Sequence, residues 1–293
     1  GRGSYSAAIK AADAVYECRE TACRLFSFDK PENVVFTQNA SHALNIAIRS
    51  TVKKGDTVLI SGYEHNSVTR TLHGIGANVL VAECALFDSE GAYRAFEKLI
   101  PQADVVICNH VSNVFGFILP IYDIADLCNS LNKPLIVDVS QSAGIIDIDM
   151  RRLNASFLCM PGHKGLLGPQ GTGIIICDHD VQPLLYGGTG SDSIEQNMPS
   201  YLPDMLEAGT HNVVGIAGLN AGMKYVMKRT PSAIGEYEIK LKDLMSEEIR
   251  KIPDICIFSS LAGNQAGELT QSHGRAICYF APEGCPSCDF CRL

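Results

Sequence analysis

Phe157-Leu158-Cys159-Met160-Pro161-Gly162-His163-Lys164-Gly165 is a short apolar run that ends in a glycine-bounded turn carrying a histidine and a lysine. An apolar run of this length bounded by turn formers reads as a buried strand. Further glycines at 168, 171 and 173 mark the next stretch as a loop. Upstream, Leu135-Ile136-Val137-Asp138 has the same form, an apolar run ending in a carboxylate, with Gln141 close behind. An acid at one strand end and a lysine at the next suit one cofactor chemistry. The lysine amine condenses with the aldehyde of pyridoxal 5'-phosphate (PLP), and the acid pairs with the pyridinium nitrogen, so the ring stays protonated and draws electrons.

Outward from these two runs, short β-branched stretches alternate with helical patterns. The strands are expected at Val34–Phe36, Thr57–Ile60, Val79–Ala82, Val105–Cys108, Leu135–Val137, Phe157–Met160 and Gly173–Cys177. Helical patterns lie at 5–26, 41–52, 66–74, 92–100 and 121–131, the first with an apolar stripe of Ala8, Ala12, Val15, Cys18, Ala22 and Leu25. Such alternation predicts an α/β fold, a three-layer α/β/α arrangement around a mainly parallel sheet. Ligands of such sheets collect at the carboxyl ends of the strands. Residues 178–211 read as loop, and 212–229 and 231–252 as two helices split by Pro231. This divides the chain into a large PLP-binding domain, 1–211, and a second part, 212–293, made of connecting helices and an incomplete small C-terminal domain. The first strands of that small domain are expected at Cys256–Ser259 and Ala276–Phe280.

The 24 basic and 32 acidic residues give a formal net charge of −8, which disfavours nucleic acid as a partner. No apolar run is long enough to span a bilayer, and the charges spread through residues 1–30 do not resemble a signal peptide. Cysteines such as Cys108 and Cys177 sit inside apolar runs, as reduced, buried thiols do, so a cytoplasmic location is expected.

The segments Thr37-Gln38-Asn39-Ala40-Ser41, Glu64-His65-Asn66-Ser67, Ser112-Asn113-Val114-Phe115-Gly116, Asp138-Val139-Ser140-Gln141, Gly162-His163-Lys164-Gly165 and Glu207-Ala208-Gly209-Thr210 occur in that order. In these the chain resembles the class V aminotransferase and cysteine desulfurase family, fold type I of PLP enzymes, on its desulfurase and selenocysteine lyase branch. The resemblance covers roughly the first three-quarters of the chain. It implies PLP as cofactor, a small cysteine-like amino acid as substrate, a homodimer, and a possible sulfur-acceptor protein as partner.

Lys164 is then the cofactor-binding lysine and Asp138 the partner of the ring nitrogen, while Gln141 can donate to the phenolic oxygen. His65 is expected over the ring, where an imidazole can stack and move protons. Ala40 and Ser41, at a helix start, offer N–H groups and a hydroxyl to the phosphate, and His163 is expected to reach it as well. The resemblance places Asn113 near the substrate carboxylate and Thr189 against the phosphate of the partner subunit. Many desulfurases have serine where Pro161 stands, so one phosphate contact is expected to be missing here. Plainer readings stay open beside these: a surface Lys164, helix caps by Asp138, His65, Asn39 or Ser41, a structural His163, and a turn built by Asn113.

Both ends depart from the family pattern. Gly1-Arg2-Gly3-Ser4-Tyr5 resembles a segment that follows an N-terminal arm bearing an Asn-Ala-Ala-Thr motif, and the small domain is shorter than the family's, so a chain truncated at both ends is expected. A desulfurase needs a nucleophilic cysteine; Cys278 and Cys285 are the candidates, with Arg275 as a candidate substrate anchor. Cys285-x-x-Cys288-x-x-Cys291 also has metal-ligand spacing, with Cys278 as a possible fourth ligand, against a frayed or foreign tail; no metal site is assigned. The expected function is PLP-dependent removal of sulfur from L-cysteine or a related amino acid to give alanine. The alternatives are a class V aminotransferase or β-lyase, and a non-catalytic PLP-fold remnant or metal-binding protein of sulfur trafficking. The chain as it stands is expected to bind PLP better than it transfers sulfur.

Overall fold

The structure, a computed structural model, describes residues 5–192, 194–251, 255–258, 263–267 and 280–282. The strands fall where the β-branched runs predict them: β1 (Val34–Thr37), β2 (Thr57–Ser61), β3 (Asn78–Ala82), β4 (Val105–Asn109), β5 (Leu135–Asp138), β6 (Phe157–Pro161) and β7 (Gly173–Cys177). They form one sheet in the order β1-β7-β6-β5-β4-β2-β3. Neighbours from β3 through β6 are parallel, and β7 runs antiparallel to both β6 and β1. A parallel sheet covered on both faces needs near-continuous apolar strands, and β1, β4, β5, β6 and β7 are buried along their whole length.

Alternate strand residues serve two cores. On one face Val35, Ile60, Ile107, Ile136 and Cys159 pack against Leu44, Ile48 and Leu72 of α2 (Ala40–Thr51) and α3 (Asn66–Ile75). On the other, Leu59, Val106, Val137, Leu158 and Ile174 meet α1 (Ser6–Leu25), α4 (Ser89–Leu99), α5 (Ile121–Ser130), the short α6 (Met150–Leu153) and α7 (Val213–Arg229). This is the three-layer α/β/α arrangement expected from the sequence. Pro231 opens α8 (Pro231–Ile249), and Thr230 caps it by accepting from the Ala233 N–H at 3.3 Å. A two-stranded antiparallel ladder, β8 (Ile255–Ile257) with β9 (Phe280–Pro282), stands near the strands expected at Cys256–Ser259 and Ala276–Phe280. Of the second expected range only Phe280 lies within the described residues.

The α1 stripe differs from its expectation. Ala12 is exposed and Val15 and Leu25 are half-buried, whereas Arg19, Thr21 and Cys23 are buried together with Ala8, Cys18 and Ala22. The reason is an ion pair: Arg19 donates to Glu207 Oε2 at 2.7 Å and also to the Val34 carbonyl, so a charged residue turns inward. Glu207 Oε1 accepts from the Phe36 N–H at 2.8 Å. The Glu207-Ala208-Gly209-Thr210 motif therefore ties α1 and β1 to the segment leading into α7.

Candidate active site

Three parallel strands bring their ends level. Asn109 pairs in register with Asp138, and Asp138 with Cys159, so the turn after Pro161 starts beside the carboxylate. That turn is the connector of the antiparallel β6–β7 hairpin, closed by the Gly162 N–H donating to the Thr172 carbonyl at 2.8 Å. It is pressed against its surroundings. A Cβ on Gly162 would lie 2.1 Å from Thr172 Oγ1, and one on Gly165 2.4 Å from the Ala143 carbonyl oxygen. Only glycine permits these approaches, and they set His163 and Lys164 over the end of β5.

Two helix N-termini open onto the same place. Asn39 caps α2, its Oδ1 accepting from the His42 N–H at 2.9 Å. His65 caps α3, its Nδ1 accepting from the Ser67 N–H at 3.1 Å. The N-cap readings of Asn39 and His65 therefore hold together with their places in a site. The cavity, ≈ 190 Å³, is lined by Ala40, Ser41, His65 and Asn113 together with Asp138, Gln141, His163 and Lys164. Thr189 does not line it; buried in the loop after β7, its hydroxyl lies 3.0 Å from Ser191 Oγ. In the Ser112–Phe115 turn the bonds are made by the Ser112 hydroxyl, which accepts from Val114 and Phe115 N–H at 3.3 Å each, and Asn113 lines the cavity. Cys278, Cys285, Cys288, Cys291 and Arg275 lie outside the described residues, among which no cluster of metal ligands occurs.

Burial governs the electrostatics. It pushes the Asp138 carboxyl up from its ordinary value, against the pull of two hydrogen bonds from Ser140 and the charge of Lys164. Burial likewise lowers the Lys164 amine, against the attraction of Asp138. The effect of desolvation outweighs the mutual attraction at both groups. His163 is lowered by burial first and by the Lys164 charge second. Gln141 is buried with neither amide atom hydrogen-bonded, and His163 Nδ1 is buried without a partner. Orphaned buried polar groups are rare. Here they face one cavity with an amine of lowered pKa, an acid that a cation would hold ionised, and helix N-terminal N–H groups suited to an anion. This donor set fits PLP.

Several contributors escape a reading of residue types. Ser140, Ser67 and Asn109 also line the cavity. Ser140 and Ser67 stand within the Asp138 and His65 motifs, so their positions were visible but their contacts were not. Beneath His65, Glu64 Oε1 accepts from the Ser61 hydroxyl at 2.6 Å and the Asn109 N–H at 2.8 Å. Asn109 Nδ2 donates to the Tyr63 carbonyl at 2.8 Å. Together these clamp the β2–α3 turn to the end of β4. The Glu64 carboxyl is pushed up to about 8, chiefly by burial and further by Asp138.

Comparison with known proteins agrees with this geometry. Residues 1–274 match the family described as Aminotransferase class-V. A probable cysteine desulfurase of Methanothermobacter thermautotrophicus is 31% identical over 267 residues, 87% of this chain and 66% of that protein. A probable cysteine desulfurase of Pyrococcus abyssi is 31% identical over 233 residues, 75% of this chain and 58% of its own length. The chain thus spans less than two thirds of these relatives. The apo structure of a cysteine desulfurase from Thermococcus onnurineus NA1 superposes with a TM-score of 0.85 at 26% identity, over 99% of this chain and 73% of that one. With the fold, the site and the family match in agreement, the chain belongs to the aminotransferase class-V family.

Proposed function

We propose that this chain binds PLP in the cavity around Lys164 and acts as a cysteine desulfurase, taking sulfur from L-cysteine or a related amino acid and leaving alanine. The observation that carries this reading is the convergence of Lys164, Asp138, Gln141 and His65 on one cavity at the carboxyl ends of the parallel strands. The names of the similar proteins support the choice of substrate. Bound there, PLP supplies an aldehyde for the lysine and a ring that draws electrons from the substrate α-carbon.

The chain supplies the rest. Lys164, its amine lowered by burial, loses its proton readily and can take one from the substrate α-carbon. Asp138 holds a proton on the ring nitrogen, and Gln141 offers its unpaired amide to the phenolic oxygen. Ala40, Ser41 and His163 would hold the phosphate, His65 would stack on the ring, and Asn113 would meet the substrate carboxylate. Thr189 reaches the phosphate in a twofold partner. Exposed Tyr5, Ile9 and Tyr16, which fall on one side of α1, support such a homodimer. The thiol that accepts sulfur is Cys278 or Cys285, with Arg275 as an anchor, before transfer to an acceptor protein. Cys18, Cys23, Cys84, Cys108, Cys128, Cys159 and Cys177 are unpaired thiols, which supports a reducing, cytoplasmic setting. No described helix is long and apolar enough to cross a membrane.

One observation favours a second reading: among the described residues, no cysteine lines the cavity. A class V aminotransferase or β-lyase needs Lys164 but no protein thiol. Incubation of the PLP-loaded chain with L-cysteine separates the two. Alanine and bound or released sulfur support desulfuration; pyruvate with sulfide and ammonia identifies a β-lyase. A chain that takes up no PLP overturns both.

A further inference from the structure

Ser41, on the first turn of α2, and Ser67, on the first turn of α3, bring their hydroxyl oxygens within 2.6 Å of each other. Ser67 Oγ is also 2.8 Å from His65 Nδ1, and the Ser67 N–H donates to that same nitrogen at 3.1 Å. We infer that Ser67 is a positioning residue that couples the His65 imidazole to whatever anion occupies the cradle at Ala40 and Ser41. The inference rests on the proposed reading of that cradle as the phosphate end of the cofactor site. It has support independent of the helix start: Gln141, buried with both amide atoms unpaired, lines the same cavity.

The number of available protons limits the direction of these bonds. A backbone N–H only donates, so His65 Nδ1 is an acceptor and the neutral ring carries its proton on Nε2. Each serine hydroxyl has one proton. When Ser67 gives its own to Nδ1, the proton between the two serines must come from Ser41, and an accepted hydrogen bond strengthens the donated one. The chain then runs Ser41 to Ser67 to His65. An anion that turns its unprotonated oxygens to the helix start accepts there, so it draws the Ser41 proton to itself. Ser67 Oγ then loses its incoming bond, and its proton is either held less strongly toward Nδ1 or turned back to Ser41 Oγ. Both outcomes weaken the hydrogen bond at His65 Nδ1 while the Ser67 N–H keeps the tautomer. The ring proposed to move protons would therefore register the anion through two hydroxyls.

The test uses the PLP-free chain and inorganic phosphate as the probe, with the His65 ring nitrogens followed by NMR and phosphate binding followed separately by 31P line width. In the wild type the Nδ1 resonance should move as phosphate binds. Ser67→Ala should still bind phosphate and lose that movement; Ser67→Thr, which keeps the hydroxyl, should restore it. A full Nδ1 response in Ser67→Ala would show the anion acting directly through space and would overturn the relay. Bound phosphate with an unmoved His65 in the wild type would do the same. A chain that takes up PLP yet binds no phosphate overturns the inference and leaves the cofactor reading intact, whereas one that binds neither removes both. An unchanged amide spectrum in the two variants establishes that they are folded.

Discussion

Ser140 donates both its backbone N–H, at 2.9 Å, and its hydroxyl to the same oxygen of Asp138, Oδ1. The acid is thereby held from one side by its own turn, which leaves Oδ2 for a partner from the cavity. Removing the hydroxyl should raise the Asp138 carboxyl further, because burial would then be opposed by one bond fewer. A hydrogen bond to a charged group is worth about 1.5–3 kcal/mol, so Ser140→Ala should weaken PLP binding by roughly tenfold or more. Spectrophotometric titration with PLP measures this, and an unchanged dissociation constant would remove Ser140 from that role.

Lys164→Ala should abolish covalent cofactor attachment. The wild type, given PLP and borohydride, should carry the reduced adduct on the Lys164 peptide by mass spectrometry, and its visible absorbance band should be missing in the variant. An adduct on another lysine would contradict the assignment.

Asp138→Ala should still take up PLP through Lys164, because the amine is untouched, but turnover should collapse. Without the carboxylate the ring nitrogen is no longer held protonated, and the ring draws electrons less well. Product formation from L-cysteine in the loaded variant is the measurement; near-normal rates would refute the role.

Glu64 links stability to pH. Its carboxyl has an ordinary value of 4.5 and is pushed up to about 8 in the fold. Below 4.5 the group is neutral both folded and unfolded, and its burial as a neutral acid is favourable. As pH rises from 4.5 towards 8, the unfolded chain ionises first, and stability falls by up to about 1.4 kcal/mol per pH unit. Glu64→Gln cannot ionise, so its stability relative to wild type should grow across that window. Urea denaturation of both proteins at pH 5, 6.5 and 8 checks this; a difference independent of pH would show that Glu64 is ionised throughout.

Arg19→Met should destabilise the fold by about 3–5 kcal/mol, because it leaves the buried Glu207 carboxylate without its guanidinium. Chemical denaturation at neutral pH measures the loss. A variant within 1 kcal/mol of wild type would mean that the Phe36 N–H and His211, whose Nε2 lies 3.2 Å from Glu207 Oε2, suffice for that charge.

Much of this protein can be read along the chain. Apolar runs that end in Asp138 and Pro161 locate β5 and β6, and Lys164 is picked out by the glycine-bounded turn, because side-chain period and turn chemistry are local properties. The motifs also name most of the residues that line the cavity, although Thr189 stands outside it. The contacts they make there were not legible. Nothing in the composition of α1 announces that Ala12 faces outward and Arg19 inward, since that depends on Glu207, far along the chain.

The sequence by itself determined the fold class, the strands of the sheet and the types of residue at its carboxyl ends. Tertiary structure alone decided that β7 runs antiparallel beside β1, that Ser140 holds one chosen oxygen of Asp138, and that Ser41 and Ser67 meet in front of His65. The division has a physical cause. Burial and backbone preference act on each segment separately and leave a periodic mark in it. A hydrogen bond between segments depends on distances of a few ångströms set by how whole strands and helices pack, and no single segment carries that information.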